Sequence, residues 1–195
     1  MKLVAYLSLL AGAVVAQEVK SDPFNLVIES DDKKLDGQQL VACHTGAAIE
    51  SLCLYGDTGS EFYVNTTKGS QSPLDGYDPS GKLIWDLPLG NETAPSPMSF
   101  WSDPSTNVAL PLLQPGYDAQ YVSFGEEDRL AIISYLDDTK TPPTGDSAYA
   151  LKNWYVCQSY FSGYQYQTLN WVFGNAEAKP QNPSCVKVDV VREFI

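Results

Sequence analysis

The chain has 195 residues, 44% hydrophobic and 12% aromatic, and its 12 Lys and Arg against 24 Asp and Glu give a formal net charge of −12. That balance excludes the basic footprint needed to hold nucleic acid or an anionic membrane surface. It suits a protein kept soluble by its own charge, and the length fits one domain with a real core.

Met1-Lys2, an apolar run from Leu3 to Val15 and the short residues Val14 and Ala16 form the pattern of a secretory signal peptide, residues 1–16, cleaved after Ala16. The run falls short of the roughly 20 residues that cross a bilayer. At the other end, Val186 to Ile195 alternates charged with apolar residues, unlike the apolar tail of a lipid-anchor signal. The expected product is a secreted, extracellular monomer, residues 17–195. Loss of the leader removes Lys2 and no acidic residue, so the product is more acidic still.

The four cysteines suit an oxidising compartment, and an even number there implies disulfides. Of three connectivities, Cys43–Cys53 and Cys157–Cys185 are favoured because each closes a loop within one region of the chain. Such loops constrain the unfolded chain by about 3 and about 3.5 kcal/mol. Asn65-Thr66-Thr67 and Asn91-Glu92-Thr93 are glycosylation sequons in polar, turn-rich surroundings.

In chain order, Phe24–Ser30 reads as a strand, followed by the Asp36-Gly37 turn and a second strand at Gln38–His44. The stretch Thr45–Leu54 either returns as a strand or makes one helical turn. Phe62–Asn65 is a strand, Lys68–Gly81 an exposed loop, and Lys82–Leu87 a strand closed by Pro88. Ala94-Pro95-Ser96-Pro97 reads as a Pro-rich loop before Met98–Trp101, and Pro111 marks Asn107–Leu113 as an edge or bent strand. Gln120–Phe124 and Arg129–Tyr135 form a hairpin, and Asp137–Asp146 is a further loop. Asn153–Phe161 and Tyr164–Phe173 are aromatic strands joined at Ser162-Gly163, and a last strand begins at Cys185.

No segment of ten residues carries a 3.6 period, while β-branched and aromatic residues fill the periodic ones, so the domain is all-β. Roughly a dozen short strands suit a barrel or a sandwich. A weak threefold echo favours a β-trefoil: Phe24–Val27 before Asp36–Leu40, Phe62–Val64 before Ser80–Trp85, and Tyr121–Phe124 before Asp128–Ile132 each follow an aromatic, turn, leucine order. The Gln-x-Trp motif of ricin-type lectins is absent. A β-sandwich or another β-barrel is the alternative.

Chemistry-bearing residues are few. His44, the only histidine, adjoins Cys43, but a disulfide removes that cysteine as nucleophile or zinc ligand, leaving His44 structural or merely exposed. Glu126-Glu127-Asp128 and Asp137-Asp138 offer carboxylates of the kind a glycosidase pairs across a bond, yet sequence neighbours in strands and turns point apart. Neither a nucleophile elbow nor a phosphate-cradling loop is present, and no metal or cofactor is implied. Trp85, Trp101, Trp154 and Trp171 offer flat faces to sugar rings, although strand aromatics more often build the core. Tyr160, Tyr164 and Tyr166 flank a glycine turn where a strand end meets solvent, and they are the candidate ligand-binding residues.

Pro23–Val27, Ala42–Cys53, Asn107–Leu112 and Lys179–Val188 together resemble an uncharacterised family of secreted proteins from filamentous fungi, over nearly the whole mature chain. Some members of that family carry the label IgE-binding protein, a statement about host antibodies, and no catalytic residues come with the resemblance. The sequence therefore points first to non-enzymatic binding of a cell-wall carbohydrate or a protein. The alternatives are a glycan hydrolase with two carboxyl groups in one cleft and a protease inhibitor presenting the Ala94–Pro97 loop.

Overall fold

The computed structural model describes residues 17–56, 58–116 and 118–195. The expected signal peptide, 1–16, lies outside the described residues. The strands are β1 (Glu18–Lys20), β2 (Phe24–Glu29), β3 (Val41–Gly46), β4 (Ile49–Cys53), β5 (Tyr63–Thr67), β6 (Gly81–Leu89), β7 (Glu92–Trp101) and β8 (Val108–Leu113). They continue as β9 (Tyr121–Phe124), β10 (Leu130–Ser134), β11 (Tyr149–Leu151), β12 (Trp154–Phe161), β13 (Tyr164–Val172), β14 (Val186–Lys187) and β15 (Asp189–Phe194). The one helical element among the described residues is a 3-10 turn at Glu126–Asp128. The domain is all-β, as its residue types imply.

Pairing organises these strands into a ring and three arms. β2 pairs with β15 along its length, and the bridge Phe24↔Phe62 carries the ring on to β5. β5 pairs with β6, β6 with β9 and β9 with β10. The bridge Arg129↔Val191 returns it to β15. Arginines brace this last seam: Arg129 bonds Glu29 at 2.9 Å, and Arg192 bonds Asp78 and Asp128 at 2.7 and 2.8 Å while lying over the Phe124 ring. Inside the ring Phe24, Phe62, Leu26, Ile28, Leu83, Val122, Leu130 and Val190 are fully buried.

Each of the three sequence echoes is an antiparallel pairing: the second and third are the β5–β6 and β9–β10 ladders of the ring, and the first pairs β2 with the Gln38–Leu40 segment beside it. Leu40 donates its N–H to Leu26 O, Val64 stands opposite Leu83, and Phe124 opposite Leu130. The leucine and aromatic positions recur because each copy buries them in the same core.

The arms are the pairs β3–β4, β7–β8 and β12–β13. One strand of each meets the other two: Ser51 of β4 faces Leu112 of β8, Ala109 of β8 faces Trp171 of β13, and Thr168 of β13 faces Cys53 of β4. Polar groups buried near this triangle are satisfied, with the Thr168 and Ser159 hydroxyls at 2.8 and 3.0 Å from Asn170 Oδ1. Both expected disulfides form, Cys43–Cys53 across the β3–β4 hairpin and Cys157–Cys185 from β12 to the segment before β14. Thr45–Leu54 is a strand return, so the helical-turn option for it is not taken.

Proline placement corrects two expectations. Ala94–Pro97 is not a loop but part of β7, where Pro95 faces Asp86, Pro97 faces Ile84, and Ser96 is buried. The two prolines lie two residues apart, so their missing N–H groups point the same way, off the β6 ladder, before β8 begins pairing at Met98. Ala94–Pro97 is therefore not the exposed loop that an inhibitor would present. β8 is likewise central and not an edge: Pro111 falls between Val108–Ala109, taken by β13, and Leu112–Leu113, taken by β4. The proline sits where one partner hands over to the next, and no ladder bond is forfeited there.

Candidate functional site

An open groove of about 890 Å³ lies at the end of β13 that carries Trp171. Its floor is aromatic because two core strands end there. Phe100, near the end of β7, stacks on Trp171 at 5.8 Å and 20°, and Phe173 stands edge-on to Phe100 at 6.1 Å. Trp171 is only 4% exposed and packs edge-on to Trp154 at 4.7 Å, so the floor is continuous with the core. Phe173 and Tyr135 are 42% and 52% exposed and present their rings to the opening.

Each wall has its own fixings. One is the excursion between β10 and β11, pinched at its neck by reciprocal backbone bonds between Asp137 and Thr144 of 2.8 and 2.9 Å. The Tyr149 hydroxyl donates to the Leu136 carbonyl across the same neck. Asp137 accepts from the Thr139 hydroxyl at 2.6 Å and pairs with Lys140 at 2.8 Å. Those contacts, Lys140 first, hold its carboxyl down at about 2, so it is ionised across the ordinary pH range. The other wall is Phe173–Glu177, held by buried Asn153, whose Nδ2 lies 3.2, 3.2 and 2.9 Å from the carbonyls of Val172, Gly174 and Asn175. Asp138, Asp146 and Glu177 also line the groove.

The tyrosines expected to bind ligand lie at the far end of β13 and do not stay together. Ser162 and Gly163, at φ of 50° and 90°, make the tight turn that this hairpin twist requires. Its register puts Phe161 opposite Tyr164, Ser159 opposite Tyr166 and Tyr160 opposite Gln165. Side chains alternate along a strand, so Tyr164 and Tyr166 share one face and Tyr160, 67% exposed, projects from the other. Tyr166 stacks between Tyr164 at 5.9 Å and Tyr55 at 6.1 Å, while His44 stands edge-on to Tyr164 at 5.5 Å.

His44 has a largely exposed ring 3.4 Å from the buried Glu50 carboxylate. Among the described residues, no three His, Cys, Asp or Glu side chains gather as a metal site. Trp154 is fully buried, its indole N–H donating to Leu130 O at 2.9 Å, and Trp85 packs partly buried against the core. Trp101, 41% exposed, rests edge-on to Phe161 at 5.1 Å. Sequence reading missed Phe100, Tyr135, Tyr149, Phe173 and Asn153, which meet only in three dimensions. The available signal was the long Asp137–Asp146 loop with a tyrosine on either side, since long loops in compact domains often serve a function.

No curated protein and no solved structure matches the chain. A family model described as a domain of unknown function (DUF7907) matches residues 21–194, and the chain belongs to that family.

Proposed function

We propose that this is a secreted, non-enzymatic binding protein whose groove holds a neutral carbohydrate chain of the kind found in cell walls. One observation carries the reading: a wide groove with a rigid aromatic floor and exposed Tyr135 and Phe173. Sugar rings present C–H faces that suit the negative face of an aromatic ring, and their hydroxyls suit acceptors such as Asp138 and Glu177. Ring and arms support a trefoil arrangement, with six ring strands, three paired arms and one strand of each arm meeting at a triangle. Two disulfides, together with the leader pattern and the resemblance to secreted fungal proteins, support an extracellular place.

A panel of gluco-, manno- and N-acetylglucosamine oligomers, probed with the oxidised protein and with Phe173→Ala and Tyr135→Ala variants, tests the proposal. Retention of one oligomer class, weakened by both substitutions, supports it. No retention, or retention indifferent to both, overturns it. The second reading, a glycan hydrolase, is favoured by Asp138, Asp146 and Glu177 sharing the groove; Asp137, held ionised, is not its acid. Release of shorter oligomers during the same incubation would favour that reading over simple binding.

A further inference from the structure

The two sequons occupy opposite structural situations. Asn65 lies in β5 with a strand on each side, opposite Lys20 of β1 and opposite Lys82 of β6. Its Oδ1 is buried without a partner, and its Nδ2 donates to Glu18 at 3.2 Å. The strands are close there: a Cβ on Gly81 would come within 2.7 Å of Asn65 O and 2.8 Å of Thr66 Cγ2. An oligosaccharide on Asn65 has to leave the sheet face between the side chains of Lys20 and Lys82, displacing Glu18 from both Asn65 and Lys82, which it contacts at 2.7 Å.

Asn91 lies at the tip of the hairpin joining β6 to β7, in a two-residue turn begun by Gly90 at φ +67°. The hairpin runs out past the rest of the sheet: β9 pairs with Gly81 and Lys82, whereas Pro88 and Leu89 pair only with Thr93 and Glu92. Asn91, Glu92 and Thr93 are all exposed, as is the apolar Leu89, at 55%. An oligosaccharide on Asn91 meets no strand and covers that leucine.

We infer that Asn91 carries the N-linked glycan of the secreted protein and that Asn65 carries none. In the modification, Asn91 Nδ2 attacks the anomeric carbon of a lipid-linked oligosaccharide pyrophosphate. The bond from that carbon to the pyrophosphate oxygen breaks, the lipid pyrophosphate leaves with the electron pair, and Nδ2 gives one proton to the transferase. The amide keeps one N–H, and the Asn91 side chain is exposed at the turn, with no hydrogen bond to another described residue.

The test is expression of the full chain in a eukaryotic secretory host, enzymatic deglycosylation in heavy-oxygen water, and peptide mass spectrometry, which marks each formerly glycosylated asparagine as heavy aspartate. The expected result is a mark at Asn91 and none at Asn65, with Asn91→Gln losing the whole glycan mobility shift and Asn65→Gln keeping it. A mark at Asn65, or an unmarked Asn91 in material from medium or cells, overturns the inference.

Discussion

β13 carries aromatic side chains at both ends, about 23 Å apart at roughly 3.3 Å per residue, and the two ends are built differently. At Trp171 a buried indole underlies the partly exposed rings of Phe100 and Phe173, and two loop walls fixed by their own hydrogen bonds turn that surface into a groove. At Tyr164 the rings lean on one another, Tyr55 on Tyr166 on Tyr164, along a hairpin face. An aromatic that spends its face on a neighbour has little left for a ligand. The difference teaches how the same residue type is used two ways: the tyrosine row covers its own faces, whereas the groove aromatics lie between anchored loops with faces left open.

The comparison is sharpened first by stability. Trp171→Ala removes a buried indole beneath the groove and should cost about 3–5 kcal/mol in denaturant unfolding. Tyr166→Ala removes a partly exposed ring at the other end and should cost about 1 kcal/mol. Equal losses would break the claim that only the groove is continuous with the core. Next in size is the Cys43–Cys53 bridge, which ends two residues before Tyr55. Replacing both cysteines by serine should lower stability by about 3 kcal/mol and loosen the tyrosine row while leaving oligosaccharide binding unchanged. Coupled loss of binding would show that the two ends are not independent.

Tyr135→Ala should then weaken oligosaccharide binding about tenfold, equivalent to about 1.4 kcal/mol, with unfolding unaltered, and Tyr164→Ala should leave affinity as it was. Titration calorimetry on the two variants separates these outcomes. The smallest effect concerns pH. A carboxyl held below its ordinary value favours the folded form above that ordinary value, and the contribution disappears as pH falls through the folded one. Amide protection of the Asp137–Thr144 neck should accordingly stay level through the weakly acidic range and fall progressively as pH drops from 3.8 to about 2. Lys140→Met, which removes the leading cause, brings the folded value back toward 3.8 and should make that fall smaller.

Sequence patterns revealed the strands because their hydrophobic periods are local, and both disulfides because each closes a short stretch. The Ser162-Gly163 turn was legible for the same reason. Pro95, Pro97 and Pro111 misled, since whether a proline breaks a ladder depends on which edge its nitrogen faces and on where the neighbours change. β1 and β11, of three residues each, are too short to show a period and exist because β5 and β10 offer them an edge. The tyrosine triad was half legible: alternation separates Tyr160 from Tyr164 and Tyr166, but only the register says which side meets Tyr55. The groove was not legible at all, because Phe100, Tyr135 and Trp171 come from three distant strands or their ends and share no spacing.

The most direct measurement is amide hydrogen exchange of the oxidised protein with and without the tightest-binding oligomer of the panel. The account predicts new protection in residues 132–151 and 173–177 and none in 159–166. Protection confined to 159–166, around Tyr160, Tyr164 and Tyr166, would contradict it and return the site to the hairpin tip.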